Sequence, residues 1–285
     1  MFDLGLADGR RLALRLHRTG YQSRGGIDAE LNWTEALARK GFPCPRPART
    51  ASGTLTATDG EGVASAVQWL DAVPLSALEP SPAERRALMR GTGALLAALH
   101  GTSDGIPAPA PCLRLAWHRG GLTGPNPLWG RFWESTGARG DEAAALRRAR
   151  DGAALWLRDW AASAPADIGP IHADALQENV MRAPDGRLWL IDFDDCGPGY
   201  RLYDPGAALV QFWDDPLLPE WTAAMAEGYA AGRGLDAREV ADLLPRFTAL
   251  RALASAGWLM SRAPADDPRH ATYVRRALTL SRAFG

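Results

Sequence analysis

The sequence predicts an α+β protein of two lobes: a small antiparallel sheet with one helix over residues 1–73, then a mainly helical lobe over 74–285. Three observations predict it. Alternating apolar residues and Gly-containing turns fill the first seventy or so positions. Long stretches of helical period fill most of the remainder. One strand-turn-strand pattern interrupts them between residues 168 and 193.

The first two strands are FDLGL and RLALRLHR, which flank ADGR; Asp8-Gly9 is a hairpin turn signal, and Leu12, Leu14 and Leu16 share one strand face. DAELNWTEALARKG places Leu31, Ala36, Leu37 and Ala38 at helical spacing and stops at Gly41, before a Pro-rich FPCPRP that cannot continue a helix. Strands follow at TLTAT (54–58) and VASAVQWL (63–70) around a DGEG turn, and the chain crosses between lobes near 70–76. SPAERRAL opens the second lobe with a helix start: Ser81 as N-cap, Pro82 at the first helical position, Glu84 closing a capping box. That helix runs to His100. Residues 103–130, rich in Gly and Pro, read as a long surface excursion, and 141–162 as an Ala-rich helix weakened at Gly152. Helical patterns near 219–231, 237–261 and 268–283 close the chain.

Composition narrows the function. A hydrophobic content of 46% supports a real core, and a formal charge of −1 gives no basic field for nucleic acid or an anionic membrane, so the expected partner is a small molecule. No apolar run approaches the roughly 20 residues that cross a bilayer, and no signal peptide is visible, so a soluble, cytoplasmic protein is expected. Cys44, Cys112 and Cys196 are widely spaced without a CxxC pair, which fits a reducing compartment. Lys40, in ARKGFP, is the only lysine; a Walker-type phosphate loop is therefore excluded, as is Schiff-base chemistry at any other residue.

The chemistry concentrates in IHADALQENVMRAPDGRLWLIDFDDC, residues 171–196. Pairing across the Asp185-Gly186 turn brings Asn179, just before one strand, near Asp192, just after the other, with Asp174 in the loop that leads in. Asn179 and Asp192 offer hard oxygen ligands suited to Mg²⁺, which keeps waters and substrate phosphates in its shell. Asp174 is left to orient an attacking hydroxyl or accept its proton. Clustered carboxylates repel when unaccompanied, and a divalent cation reverses that.

The spacing H-x-D-x4-N followed by Asp-Phe resembles the catalytic loop and metal segment of the protein-kinase-like fold, and HADALQEN with IDFDD is closer to the aminoglycoside phosphotransferase, choline kinase and type II homoserine kinase-like group than to protein kinases. LLAALH (95–100) and YRLYDPGAAL (200–209) resemble further segments of that group. The resemblance implies Asp174 as catalytic base, Asn179 and Asp192 as Mg²⁺ ligands, and Asp204 as a brace of the catalytic loop. It makes Glu30 the helix carboxylate that pairs with the nucleotide-binding base, and places adenine on backbone groups of Gln68, Trp69 and Leu70. His172 reads as a packing and hydrogen-bonding residue. Asp194 stands where the protein-kinase Asp-Phe-Gly motif has Gly and has two readings, contact with a second metal or a solvated loop residue.

Two departures accompany the resemblance. Arg15, in LALRL, stands where the phosphate-contacting Lys is expected, with a solvated strand residue as the plainer reading. Only fourteen residues precede it, so the first lobe is expected to be partial: either the start is assigned too late, or the chain lacks the phosphate-covering loop, with an exposed sheet edge as one consequence. The expected function is transfer of the γ-phosphoryl group of ATP, with Mg²⁺, to a hydroxyl of an aminoglycoside-, homoserine- or amino-alcohol-like acceptor. The alternative is a weak or inactive nucleotide-binding scaffold. A metal-dependent phosphohydrolase finds no paired His spacing at His100, His118 or His172. For the acceptor pocket, Asp214, Asp215, Glu220 and Glu227 are acidic candidates, with a solvated face as the alternative. Trp117, Trp129 and Trp133 read either as pocket lining or as core.

Overall fold

The computed structural model describes all residues except 61, 108–113, 164–166 and 285, which leaves Cys112 outside the described residues. Strands β1 (Phe2–Gly5) and β2 (Arg11–Leu16) form the expected hairpin, with Phe2 opposite Leu14. Helix α1 (Arg24–Arg39) follows; it begins ahead of Asp28 because Ser23 caps it, its hydroxyl accepting from the Gly26 amide at 3.0 Å. Strands β3 (Pro47–Ala48), β4 (Thr56–Asp59) and β5 (Gly62–Gln68) complete a sheet in the order β1-β2-β5-β3, with β4 also on β5. One face of α1 seals this sheet through Ile27 and Leu31 against Leu55, Val63 and Val67. β1 is the outer strand, and Phe2 and Leu4 on it are exposed, as an open edge implies.

The crossover supplies β6 (Val73–Pro74), which joins not the first sheet but the hairpin of the second lobe, Val73 lying opposite Arg182. Helix α2 (Pro82–Asp104) carries the capping box at Ser81 and Glu84. Short α3 (Arg119–Thr123) and long α4 (Glu142–Ser163) precede β7 (Ile168–Ile171), β8 (Val180–Arg182), β9 (Leu188–Leu190) and β10 (Gly197–Tyr200). β8 and β9 pair across Asp185-Gly186, whereas β7 pairs with β10. The two ladders hold the intervening loops, 172–179 and 191–196, side by side.

Four helices close the lobe: α5 (Tyr203–Leu209), α6 (Leu218–Arg233), α7 (Ala237–Met260) and α8 (Arg269–Leu280). α6 lies against α2 closely enough that a Cβ at Gly228 would come within 1.9 Å of the Arg90 carbonyl oxygen. α7 is buried nearly all round after its first turns, which makes it the centre of the lobe and leaves Arg251 buried on it. Among the described residues, the stretch 103–130 is only partly the surface excursion its Gly and Pro content suggests. α2 continues to Asp104, Trp117 is fully buried and stacked on Tyr203 with ring centroids 5.3 Å apart, and Leu122 is buried too. Trp117 outweighs its neighbours because burying one large ring stabilises more than the surrounding small residues oppose. Among the described residues no helix is long and apolar enough to cross a membrane.

Candidate active site

Asp204, fully buried at the start of α5, organises the loop after β7. Its carboxylate accepts from the amides of His172 (2.8 Å) and Ala173 (2.7 Å) and meets His100 Nε2 at 3.0 Å; His100 Nδ1 lies 2.8 Å from the Tyr229 hydroxyl. These bonds hold Ala173 in the left-handed region, φ 68°, which a residue with a Cβ adopts only when its surroundings impose it. The Asp174 amide donates to His172 Nδ1 at 3.2 Å, so His172 Nε2 carries the proton it donates to the Ile191 carbonyl at 2.9 Å. His172 thus bridges the two loops and is committed to packing and hydrogen bonding.

Asp174 is engaged at both oxygens. Oδ2 accepts from Asn179 Nδ2 at 3.0 Å, and Oδ1 accepts from Arg251 at 2.6 Å. Each carboxylate oxygen keeps a second lone pair, so the group can still accept a hydroxyl proton. The Asn179 carbonyl accepts from the Ile191 amide at 3.0 Å, which sets Asp192 beside it; Asp192 too is left-handed, φ 61°. The three polar groups of the hairpin therefore converge.

They converge at the wall between two cavities. One, about 270 Å³, lies between the lobes and is lined by Ala13, Val67, Gln68, Trp69, Leu70, Met181, Ile191 and Phe193, with Arg15, Glu30, Asn179 and Asp192 at its polar end. The Leu70 amide has no protein partner among the described residues. The other cavity, about 320 Å³, is lined by Asp174, Glu178, Asp194, Asp195, Arg251 and aromatic rings including Tyr21 and Trp129; Asp192 borders both.

The charges at the polar end differ from the expected arrangement. Arg15 does not pair with Glu30. Its long planar fork instead spans the cleft, donating to Asp192 at 2.6 Å and to Asp194 at 2.8 Å. Glu30 instead has Arg114 as its neighbour, 3.7 Å away. Burial pushes Glu30 up to about 8, against the pull of Arg114. The folded state thus keeps a proton that the unfolded chain releases above its ordinary value of 4.5, so stability falls as pH rises from there to about 8. Glu30→Gln removes that slope; urea unfolding at several pH values should show a flatter curve than the parent, and parallel curves would contradict this assignment.

Arg114 also donates to the carbonyls of Cys196 (2.8 Å), Phe193 (3.3 Å) and Asp194, while Trp117 Nε1 donates to the Asp195 carbonyl at 2.8 Å. Asp194 is neither fully solvated nor free: burial raises it, Arg15 opposes that rise, and its Oδ1 is buried without a hydrogen-bond partner. A hard cation fits here. Asp192 and Asp194 already close on one positive group, Asp194 Oδ1 is an oxygen in need of a partner, and Asn179 adds an amide; Mg²⁺ asks for one or two carboxylates and takes its other ligands from water and phosphate. Asp195, pushed up to about 7 by burial, is hydrogen-bonded by the Tyr21 hydroxyl, and Gln22 donates to the Asp194 carbonyl at 3.1 Å, so the loop before α1 closes over the second cavity.

Residues 1–244 match the phosphotransferase enzyme family. The chain belongs to that family. A homoserine kinase of Rhizobium meliloti is 29% identical over 269 residues, 87% of this chain and 76% of that protein. The microcompartment-associated aminopropanol kinase is 27% identical, with a TM-score of 0.78 over 95% of this chain and 84% of its own. Amicoumacin kinase hAmiN, solved with AMP-PNP, Ca²⁺ and Ami, shares the fold at 17% identity, with a TM-score of 0.73 over 97% and 84% of the two chains. This family member has the protein-kinase-like fold and is a small-molecule kinase.

Within the phosphotransferase frame, the acidic candidates Asp214, Asp215, Glu220 and Glu227 do not line the cavity beside Asp174. Asp215 accepts from Trp221 at 2.9 Å, and Glu227 pairs with Arg86 at 2.8 Å. The cavity's acids come instead from the two loops. Trp117 and Trp133 are core, and Trp129 lines the cavity. Arg114, Asp195, Arg251 and Tyr21 went unread. Arg251 has a signal, the single charge of the otherwise uncharged stretch from Phe247 to Met260, which needs a buried partner.

Proposed function

We propose that this kinase transfers the γ-phosphoryl group of ATP to a hydroxyl of a small molecule, with Asp174 as the group that receives the hydroxyl proton. One observation carries the reading: Asp174, Asn179 and Asp192 stand together at the wall shared by a largely apolar interlobe cavity and a polar cavity beneath it. The adenine side of the first suits Gln68, Trp69 and Leu70, whose strand end provides flat apolar surface and an unused amide. The second brings an acceptor to Asp174.

The acceptor oxygen forms a bond to the γ-phosphorus as the bond from that phosphorus to the β,γ-bridging oxygen breaks. ADP leaves with the electron pair, and the hydroxyl proton passes to Asp174. Asn179 and Asp192, with Asp194 beside them, would hold Mg²⁺, which when bound neutralises phosphate charge. Arg15 brings a guanidinium to the phosphate end of the cleft, near Glu30 and Arg114. Asn179 and Arg251 fix the Asp174 carboxylate before the acceptor arrives, which lowers the cost of ordering it during reaction.

ADP release measured against a panel of hydroxyl compounds with ATP and Mg²⁺ tests the reading. Acceptor-dependent release with a phosphorylated product is expected. Thermal stabilisation by ATP and Mg²⁺ with no transfer to any acceptor would leave a nucleotide binder and overturn it.

A further inference from the structure

Three guanidiniums line the cavity beside Asp174: Arg251, Arg262 and Arg276. Arg251 is matched by Asp174. The other two form no ion pair among the described residues; Arg262 lies over the rings of Tyr21 (4.5 Å) and Trp258 (5.3 Å), and Arg276 over Tyr273 (4.2 Å). Those rings hold the guanidinium planes without neutralising them. Arg276 is partly buried, its Nε is shielded from solvent without a partner, and burial together with the like charge of Arg251 lowers its proton affinity.

The acids of the same cavity have partners of their own, of which Arg15 and Arg251 are the charged ones. Asp192 and Asp194 hold Arg15, Asp195 accepts from Tyr21, Glu178 accepts from Gln211 at 2.9 Å, and Asp174 holds Arg251. Arg262 and Arg276 are the cations of this wall that no carboxylate meets among the described residues. A shielded guanidinium without a counter-ion is costly, and its fork fits the two oxygens of an oxyanion.

We propose that the acceptor carries an oxyanion, a carboxylate or a phosphate, that docks on Arg276 with Arg262 on its flank while its hydroxyl meets Asp174. The proposal rests on the phosphotransferase reading of Asp174. An acceptor with no acid group would leave Arg262 and Arg276 without a counter-ion. A cavity of about 320 Å³ stands at the small end for ligand pockets and suits an acceptor of modest size. Tyr273 and Arg276, three apart on α8, reach it from one helix face.

Paired acceptors test this on the unaltered protein: hydroxy amino acids against the amino alcohols lacking the carboxylate, and hydroxyalkyl phosphates against the parent diols. The expected result is a kcat/KM roughly tenfold or more higher for the anionic member of at least one series, and which series responds separates carboxylate from phosphate. In Arg276→Gln, the KM for that acceptor should rise roughly tenfold while the KM for ATP holds. Equal or better use of the uncharged or cationic members would overturn the oxyanion site and leave the kinase reading standing. If no compound turns over, the kinase reading is what fails. The site is then read by thermal shift with the same anionic compounds: an upshift lost in Arg276→Gln supports it, and no upshift overturns it.

Discussion

Asp174→Asn should reduce turnover by a factor on the order of 10² to 10⁴, the usual contribution of a positioned acid or base, while ATP with Mg²⁺ still binds. An amide cannot take the hydroxyl proton. It also cannot serve both neighbours as the carboxylate does, because Asn179 Nδ2 and the Arg251 guanidinium are both donors and the new amide offers one oxygen. Arg251 is buried, so its loss of an anion should lower the unfolding midpoint as well. Nucleotide titration and thermal unfolding of the variant separate the two effects. Turnover within a few-fold of the parent would show that another group handles the proton, with Asp195, held by Tyr21 in the same cavity, as the first to examine.

A larger effect on stability is expected at Asp204. Removing its carboxylate in Asp204→Ala strands the amides of His172 and Ala173 and the facing nitrogen of His100 in a dry interior. Each buried unsatisfied group costs about 1–3 kcal/mol, and the loss of a buried hydrogen-bonded charge about 3–5 kcal/mol. A domain of ordinary stability holds about 5–15 kcal/mol in all, so the variant should unfold at much lower denaturant and lose activity with it. Asp204→Asn keeps one acceptor and should fall between the two. A change below about 1 kcal/mol in Asp204→Ala would mean that the loop is held by its other contacts.

The catalytic loop was legible because its residues lie close in sequence and its geometry follows from one turn. Asn179 and Asp192 are brought together by pairing across Asp185-Gly186, a hairpin that a local hydrophobic pattern is enough to find, and Asp174 lies only five residues before Asn179 in the loop that leads in. Asp204 was readable only through the resemblance. The partners of Arg15 and Glu30 were not readable at all: their choice depends on how α1 sits against the 191–196 loop and on Arg114, which comes from a segment whose Gly and Pro content pointed to the surface. Arg276 and Arg251 lie on helices whose period predicts a face but not what that face meets. The acidic cluster near the start of α6 shows the converse, since Asp215 and Glu227 satisfy a Trp and an Arg elsewhere.

Arg114 and Trp117 grip the 193–196 loop through main-chain carbonyls. A carbonyl is the same whatever side chain follows it, so this anchorage tolerates sequence drift in the loop it secures. The Asp194 side chain, where the Asp-Phe-Gly motif of protein kinases has none, therefore takes no part in that grip. Side-chain chemistry beside the metal position is open to selection there without redesign of the loop's path, and the two residues that grant this freedom lie outside the segment that uses it.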